Sequence, residues 1–89
     1  MVIRIATFEK KPAFHDDEPL LAAFQAWMKS QPGFHAGWHA SDSKTGRLSS
    51  ISVWTDMASL LAMKDRPFPG GPLGATPDRV EIFDQAHPI

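Results

Sequence analysis

Apolar side chains recur with two different periods along the 89-residue chain. Segments Val2–Phe8 and Arg79–Phe83 are rich in β-branched and aromatic residues and are bounded by turn-forming residues, which predicts a first and a last strand. Val2–Phe8 carries apolar groups at both odd and even positions, a pattern typical of a strand that is buried on both faces.

Two other stretches carry the spacing of an amphipathic helix. The first begins near His15–Pro19, where an Asp can cap and a Pro is tolerated, and it ends before Pro32. Thr55 or Asp56 caps the second helix, which runs to about Arg66. The apolar positions of the two helices are Leu20, Leu21, Phe24, Trp27 and Met28, and then Met57, Leu60 and Leu61.

Between the helices the pattern predicts a β-hairpin. Residues 34–42 and 47–54 are strand-like, and the polar loop Ser43–Gly46 separates them. The order strand, helix, strand, strand, helix, strand predicts an α+β, ferredoxin-like fold with an antiparallel four-stranded sheet. Residues 1–89 are expected to form a single domain, in which residues 84–89 are a flexible tail.

The register of the hairpin decides which side chains share a face. Pairing Asp42 with Arg47 places His35 opposite Trp54. One face then carries His35, Gly37, His39 and Ser41 with Leu48, Ser50, Ser52 and Trp54. The other, mainly apolar face carries Phe34, Ala36, Trp38 and Ala40 with Arg47, Ser49, Ile51 and Val53. A slip by one residue would exchange the faces on one strand.

The apolar face of this hairpin requires a cover. The helices protect only one face of such a sheet, so Phe34, Trp38, Ile51 and Val53 would form an exposed apolar patch on the other. A second copy packed sheet to sheet is the simplest cover. The sequence therefore predicts a homodimer through these four residues.

Composition narrows the classes of function. The chain is 43% hydrophobic and 21% charged with a net charge of −1, and its scattered Lys and Arg predict neither nucleic-acid nor membrane binding. The absence of Cys excludes disulfides, thiolate zinc sites and a thiol nucleophile. The segment after Met1 lacks a long apolar stretch, so a cytoplasmic location is expected.

His35 and His39 are the residues whose spacing first suggests a metal. Four residues along a strand span about 13 Å, which is too far for one ion, so no metal site is predicted. His39 alone is a candidate general base or hydrogen-bond partner. The simpler interpretation is a strand His whose ring is satisfied by a neighbouring hydroxyl such as that of Ser50.

The segment Pro67–Pro77 contains four Pro and three Gly and forms no regular element. Structureless loops of this length often act as lids. Phe68 and Leu73 give the loop apolar anchors, so it either covers the mouth of a cavity or a neighbouring subunit, or is simply a long connection.

Several of these features together resemble the antibiotic biosynthesis monooxygenase family. They are the run Pro32–Phe34, then Trp38–Ser41, a Gly-containing turn, and Ser50–Trp54 before a short helix. The resemblance implies a dimeric α/β barrel in which each cavity lies between the sheet and helices of one subunit. It also implies the activity of the family's catalytic members, which are oxygenases that need no metal, flavin or haem. These enzymes bind and deprotonate a polycyclic aromatic compound, and the resulting anion reacts with oxygen.

The chain departs from the pattern of the catalytic members. In them an Asn precedes the strand-ending Trp by four residues and a Tyr lies on the second helix. Here Trp54 matches the Trp, Ser50 replaces the Asn, and the chain has no Tyr. The haem-degrading branch would need a His on the second helix, and residues 55–66 contain none.

Three functions therefore remain open. The first is a protein that binds a hydrophobic or aromatic compound, with or without cofactor-free monooxygenase chemistry. The second is a non-catalytic binding or sensing module, and the third is a cyclase or isomerase of the polyketide type. The candidate catalytic residues are His39, Ser50 and Trp54, and the candidate ligand contacts are His35, Phe24, Trp27 and Phe68.

Overall fold

The computed structural model describes all 89 residues and confirms the predicted α+β order of elements. The strands are β1 (Val2–Phe8), β2 (Phe34–Ser41), β3 (Leu48–Trp54) and β4 (Arg79–Phe83), and the helices are α1 (Glu18–Lys29) and α2 (Met57–Ala62). A 3₁₀ turn, Ala13–Asp16, precedes α1, and a second, Met63–Asp65, extends α2. The sheet is antiparallel, with strand order β2-β3-β1-β4.

Both helices begin at an aspartate. The side chain of Asp17 accepts a hydrogen bond from the backbone N–H of Leu20 at 3.1 Å, and Asp56 accepts one from Ser59 at 2.8 Å. These caps satisfy backbone donors that have no partner within the helix. Neither helix has the length and hydropathy of a segment that crosses a membrane.

One face of the sheet, called the inner face below, packs against the helices. Leu60 of α2 forms a core cluster with Val2 and Trp54, which are neighbours on β1 and β3. Because side chains alternate along a strand, the even-numbered residues of β1 and β3 all belong to the inner face. His39 and Ser50 therefore lie on the inner face, as predicted, whereas Trp38 lies on the outer face.

A β-bulge changes the start of the hairpin. From Ala36 onward the strands pair in the predicted register. Between Phe34 and Ala36 the register shifts, so that Phe34 and not His35 pairs with Trp54, and the predicted pairing of His35 is wrong. The extra residue turns Phe34 to the inner face, where its ring meets that of Trp54 edge-on at 5.5 Å. Phe34 is therefore absent from the apolar outer face to which the alternation assigned it.

The inner face is apolar at its two ends and polar between them. The end clusters are Val2, Trp54 and Leu60 on one side and Ala6, Phe8 and Leu48 on the other. Between them β2 and β3 contribute the small side chains of Gly37, Ser50 and Ser52, and the two larger polar residues there are His39 and Arg4. Large apolar groups thus stand at both ends of the inner face, and space is left above the small residues of the hairpin.

The C-terminal tail, expected to be flexible, is fastened at one point. The backbone N–H of Ala86 donates to the carbonyl of Met1 at 2.9 Å, and the amino group of Met1 donates back to Ala86 at 3.2 Å. The tail therefore continues beside the start of β1.

Two glycines allow the contribution of close packing to the free energy of unfolding to be measured. Gly33 and Gly46 both have positive φ, at 82° and 75°. A Cβ on Gly33 would overlap the side chain of Ser59, whereas one on Gly46 would meet open space. Alanine at either position should cost about 1–2 kcal/mol of backbone strain.

Gly33→Ala should lose a further 1–3 kcal/mol or so through the clash with Ser59. Urea unfolding of the two variants measures the difference. Equal losses in Gly33→Ala and Gly46→Ala would contradict the close approach of Ser59 to the turn.

Candidate functional site

A cleft of about 460 Å³ lies between α1 and the β2–β3 hairpin. Its floor is the open centre of the inner face, where Gly37, Ser50 and Ser52 leave space above the sheet. Its wall is α1, with Phe24 and Met28. The cavity thus follows from side-chain size, because His39 is the only large side chain that rises from the middle of the hairpin on this face.

His39 is the most constrained polar side chain in the cleft. The side-chain amide of Gln25, on α1, lies with Nε2 3.0 Å from Nδ1 of His39. The ring of Phe24 stacks on the imidazole at 6.2 Å and 18°. The other nitrogen, Nε2, forms no hydrogen bond and is not buried, so it is free to meet a ligand.

The amide of Gln25 permits both neutral tautomers of His39. If the amide NH₂ donates to Nδ1, Nε2 carries the proton and donates toward the cleft. If the amide is turned, Nδ1–H donates to Oε1 and Nε2 accepts. Gln25 therefore fixes the orientation of the ring while leaving it able to give or take a proton.

A second histidine lies against the first. The 3₁₀ turn before α1 places the ring of His15 edge-on to that of His39, with centroids 4.6 Å apart, and the ring of Phe14 lies 4.4 Å from that of His15. Nε2 of His15 is buried and has no hydrogen-bond partner. The two imidazoles thus share a small, partly dry space.

This environment keeps both rings uncharged. Burial lowers the pKa of His39 from its ordinary value, and the neighbouring His15 lowers it further. Burial also lowers the pKa of His15, as does Lys11, while Asp16 acts in the opposite direction. A neutral imidazole is the form that accepts a proton, so His39 meets the requirement for a general base at neutral pH.

Two of the candidate catalytic residues lie in the cleft and the third does not. Ser50 pairs with His39 across the hairpin, and both line the cleft. Trp54 is only 1% exposed and lies in the core cluster rather than in the lining. Its Nε1–H donates to Oγ of Ser52 at 2.9 Å, so Trp54 reaches the cleft through that hydroxyl.

The candidate ligand contacts divide in a similar way. Phe24 and the exposed His35 line the cleft. Trp27 and Phe68 pack on each other at 5.6 Å and on Phe24 at 6.1 and 5.5 Å, outside the lining. Phe68 thereby fastens the Pro67–Pro77 loop to α1, and no residue of the loop borders the cleft.

Sequence reasoning missed His15 and Gln25. Gln25 lies at i+4 from Leu21 and i−3 from Met28, so it is a polar residue within an apolar helical stripe. This polar residue in an apolar stripe was the sequence signal that could have identified Gln25. No sequence signal identified His15, because only the 3₁₀ turn brings its ring to His39.

The structure groups no three His, Asp or Glu side chains as a metal site. α2 and the 3₁₀ turn after it contain no His. The iron ligand that the haem-degrading branch would need on this helix therefore has no counterpart.

Trp54→Phe tests the structural role of the indole. The substitution removes the donor to Ser52 and shrinks a buried ring, and should cost about 1–3 kcal/mol of unfolding free energy. Leu61→Met is the control, because Leu61 is 45% exposed on α2 and the change should alter stability by less than about 0.5 kcal/mol. Chemical denaturation measures both, and similar values would contradict the burial of Trp54.

The histidine pair predicts a pH dependence of stability. Both rings bind protons more weakly in the folded protein than in the unfolded chain, so unfolding takes up protons near and below pH 6.5. The unfolding free energy should therefore fall as the pH drops from about 7.5 to about 5. Urea titrations at several pH values measure the slope, and the double variant His15→Gln/His39→Gln should flatten it. An unchanged slope in that variant would rule out the pair as its source.

No family model and no curated protein matches the sequence. Solved structures do match over nearly the whole chain. A Chloroflexus aurantiacus protein provisionally assigned to the antibiotic biosynthesis monooxygenases is 22% identical, with 99% of this chain and 95% of that chain covered and a TM-score of 0.69.

Two further structures share the architecture at lower identity. A haem-degrading protein from Mycobacterium tuberculosis, solved without haem, is 16% identical, with coverage of 99% and 96% and a TM-score of 0.64. A Streptomyces coelicolor monooxygenase in complex with nanaomycin D is 16% identical, with coverage of 99% and 89% and a TM-score of 0.60. This chain is therefore similar to antibiotic biosynthesis monooxygenase-type proteins and shares their ferredoxin-like fold.

Proposed function

We propose that this protein belongs with the antibiotic biosynthesis monooxygenase-type proteins and binds a hydrophobic or aromatic small molecule in the cleft between α1 and the hairpin. One observation carries the proposal. His39 is held by Gln25 and Phe24, with its unengaged nitrogen at a cleft that lies against the small residues of the sheet.

The cleft suits a planar apolar compound. Pockets of about 300–1,000 Å³ are typical of small-molecule sites, and this one falls in that range. Phe24 and Met28 supply apolar contact on the helix side. The hydroxyls of Ser50 and Ser52 supply hydrogen bonds on the sheet side. Apolar walls with a few polar groups on one side orient an aromatic ring that bears oxygen substituents.

Cofactor-free monooxygenation is the chemistry that this arrangement supports best. Neutral His39 takes a proton from a phenol or an enolisable carbonyl, and the Ser50 hydroxyl donates a hydrogen bond to the oxygen that becomes negative. The electron-rich anion then reacts with O₂. For an anthrone the balance is anthrone plus O₂ giving anthraquinone plus water, and the proton held by His39 leaves with the water.

The proposal extends to a homodimer through the outer face. Cross-strand pairs place two apolar rows there: Trp38, Ile51 and Ile5, and then Ala36, Val53, Ile3 and Phe83. Trp38 and Phe83 are 59% and 50% exposed. A second copy would cover these rows, with Ile3, Ile5 and Phe83 in place of the Phe34 that the sequence analysis assigned to the interface. A cytoplasmic location stays a prediction from the sequence.

Binding and oxygen uptake test the proposed function with 1,8-dihydroxyanthrone as the probe. Calorimetry measures affinity, and an oxygen electrode measures consumption above the spontaneous rate. His39→Ala should lower the catalysed rate at least about 100-fold, because general-base catalysis contributes that much or more. Ser50→Leu should abolish binding by filling the cleft floor. Ser41→Leu is the matched control, since Ser41 lies on the same face but outside the cleft.

The other candidate functions give different results in the same experiment. Tight binding without oxygen uptake would assign a binding or sensing role. Conversion of a polyketide-like probe that continues under nitrogen would assign a cyclase or isomerase. Equal binding by Ser50→Leu and the native protein would contradict the cleft as the site.

The dimer is tested by sedimentation at several protein concentrations. Trp38→Glu should yield monomers, because it places a charge in one of the apolar rows that the second copy would cover. Ser43→Glu, in the exposed hairpin loop, introduces the same carboxylate and controls for the change in net charge. A native protein that sediments as a monomer at concentrations of tens of micromolar would refute the dimer.

A further inference from the structure

The cleft has one cationic side chain at its border, Lys29, and no Asp or Glu. The histidines that border it are His35 and His39, of which His39 is uncharged at neutral pH. The chain as a whole carries a net charge of −1, so the lack of acids is a local property. A partly enclosed site lined in this way favours a negatively charged ligand.

Arg4 is a further cationic side chain, next to the floor of the cleft. It is on the inner face of β1, directly opposite Ser52, which lines the cleft. The same row runs from Gly37 through Ser52 and Arg4 to Ile82. Arg4 itself is outside the lining of the cleft, but it stands one strand beyond Ser52, between the two core clusters, where a ligand that extends past Ser52 would reach it.

No group of the protein neutralises Arg4. The two ion pairs join Lys11 to Asp16 and Arg79 to Glu81, and Arg4 donates no side-chain hydrogen bond. The inner-face positions of all four strands lack an acidic residue. Arg4 is half-buried, and this burial lowers its pKa, as expected for a charge that has lost water without gaining a counter-ion.

We propose that the ligand of the cleft is an aromatic carboxylate whose acidic group pairs with Arg4. The inference rests on the proposed function and specifies its ligand class. Guanidinium and carboxylate form paired hydrogen bonds of fixed geometry, so one such contact both adds affinity and orients the ligand.

The spacing of the floor suits this orientation. His39 and Arg4 are two strands and two residues apart, which corresponds to about 12 Å between Cα atoms. A planar compound of two or three rings, with polar groups at its two ends, has a length of the same order. Its carboxylate meets Arg4 while a phenolic oxygen at the opposite end meets Nε2 of His39.

A matched pair of probes, each with its two polar groups at opposite ends of the ring system, tests the inference: 6-hydroxy-2-naphthoate and its neutral analogue 6-hydroxy-2-naphthamide. Calorimetry at low and high salt should show the acid binding at least about tenfold more tightly, with the preference reduced by salt. Arg4→Gln should abolish the preference and leave the affinity for the amide within about twofold. Arg47→Gln, a substitution of an exposed arginine at the hairpin turn, should retain it.

A second measurement separates recognition from a structural role. Because Arg4 is charged, half-buried and unpaired, Arg4→Gln should leave the melting temperature of the free protein unchanged or raise it. If Arg4 instead stabilised the fold, Arg4→Gln would lower the melting temperature. In the native protein, the Nε–H resonance of Arg4 should shift on addition of the acid and not of the amide.

The outcomes are distinct. Equal binding of acid and amide overturns the inference while the proposed function stands. A preference that survives in Arg4→Gln, or that disappears in Lys29→Gln alone, overturns the role of Arg4. If neither probe binds, and 1,8-dihydroxyanthrone does not bind either, the proposed function fails and the inference fails with it.

Discussion

The structure depends on an uneven distribution of side-chain size over one face of the sheet. Aromatic and branched residues stand at both ends of the inner face, and at one end Trp54 and its neighbours pack on Leu60 of α2 and Met28 of α1. In the middle of the hairpin, glycine and serine stand beside His39. Close packing at that end holds α1 away from the sheet where the floor is small. The cleft is therefore a consequence of how the core is divided, and a larger residue at Ser50 or Ser52 would remove it.

This separation of a packed end from an open centre also explains how Trp54 supports the cleft although it is not part of the lining. Its indole fills one end of the layer and its N–H holds the hydroxyl of Ser52 at the border of the cleft. Gln25 has a comparable role on the helix side, where it orients His39. In both cases a residue in the supporting layer decides the direction in which a polar group points.

Much of this arrangement follows from the sequence. Element order, the caps at Asp17 and Asp56, and the face occupied by His39 and Ser50 all come from local spacing and alternation. The bulge at His35 does not, because alternation assumes an unbroken strand and the gain from packing Phe34 on Trp54 is a tertiary effect. The contact of His15 with His39 was equally hidden, since it joins two segments that no local pattern relates.

Trp38 and Ile51 border the cleft and also stand in the apolar rows of the outer face. Residues at the edge of β2 thus belong both to the proposed ligand site and to the surface proposed to bind a second copy of the chain. A molecule seated there would alter the equilibrium between one subunit and two, and by thermodynamic reciprocity subunit association would alter its affinity by the same factor. Saturation curves for this protein would then change with its own concentration.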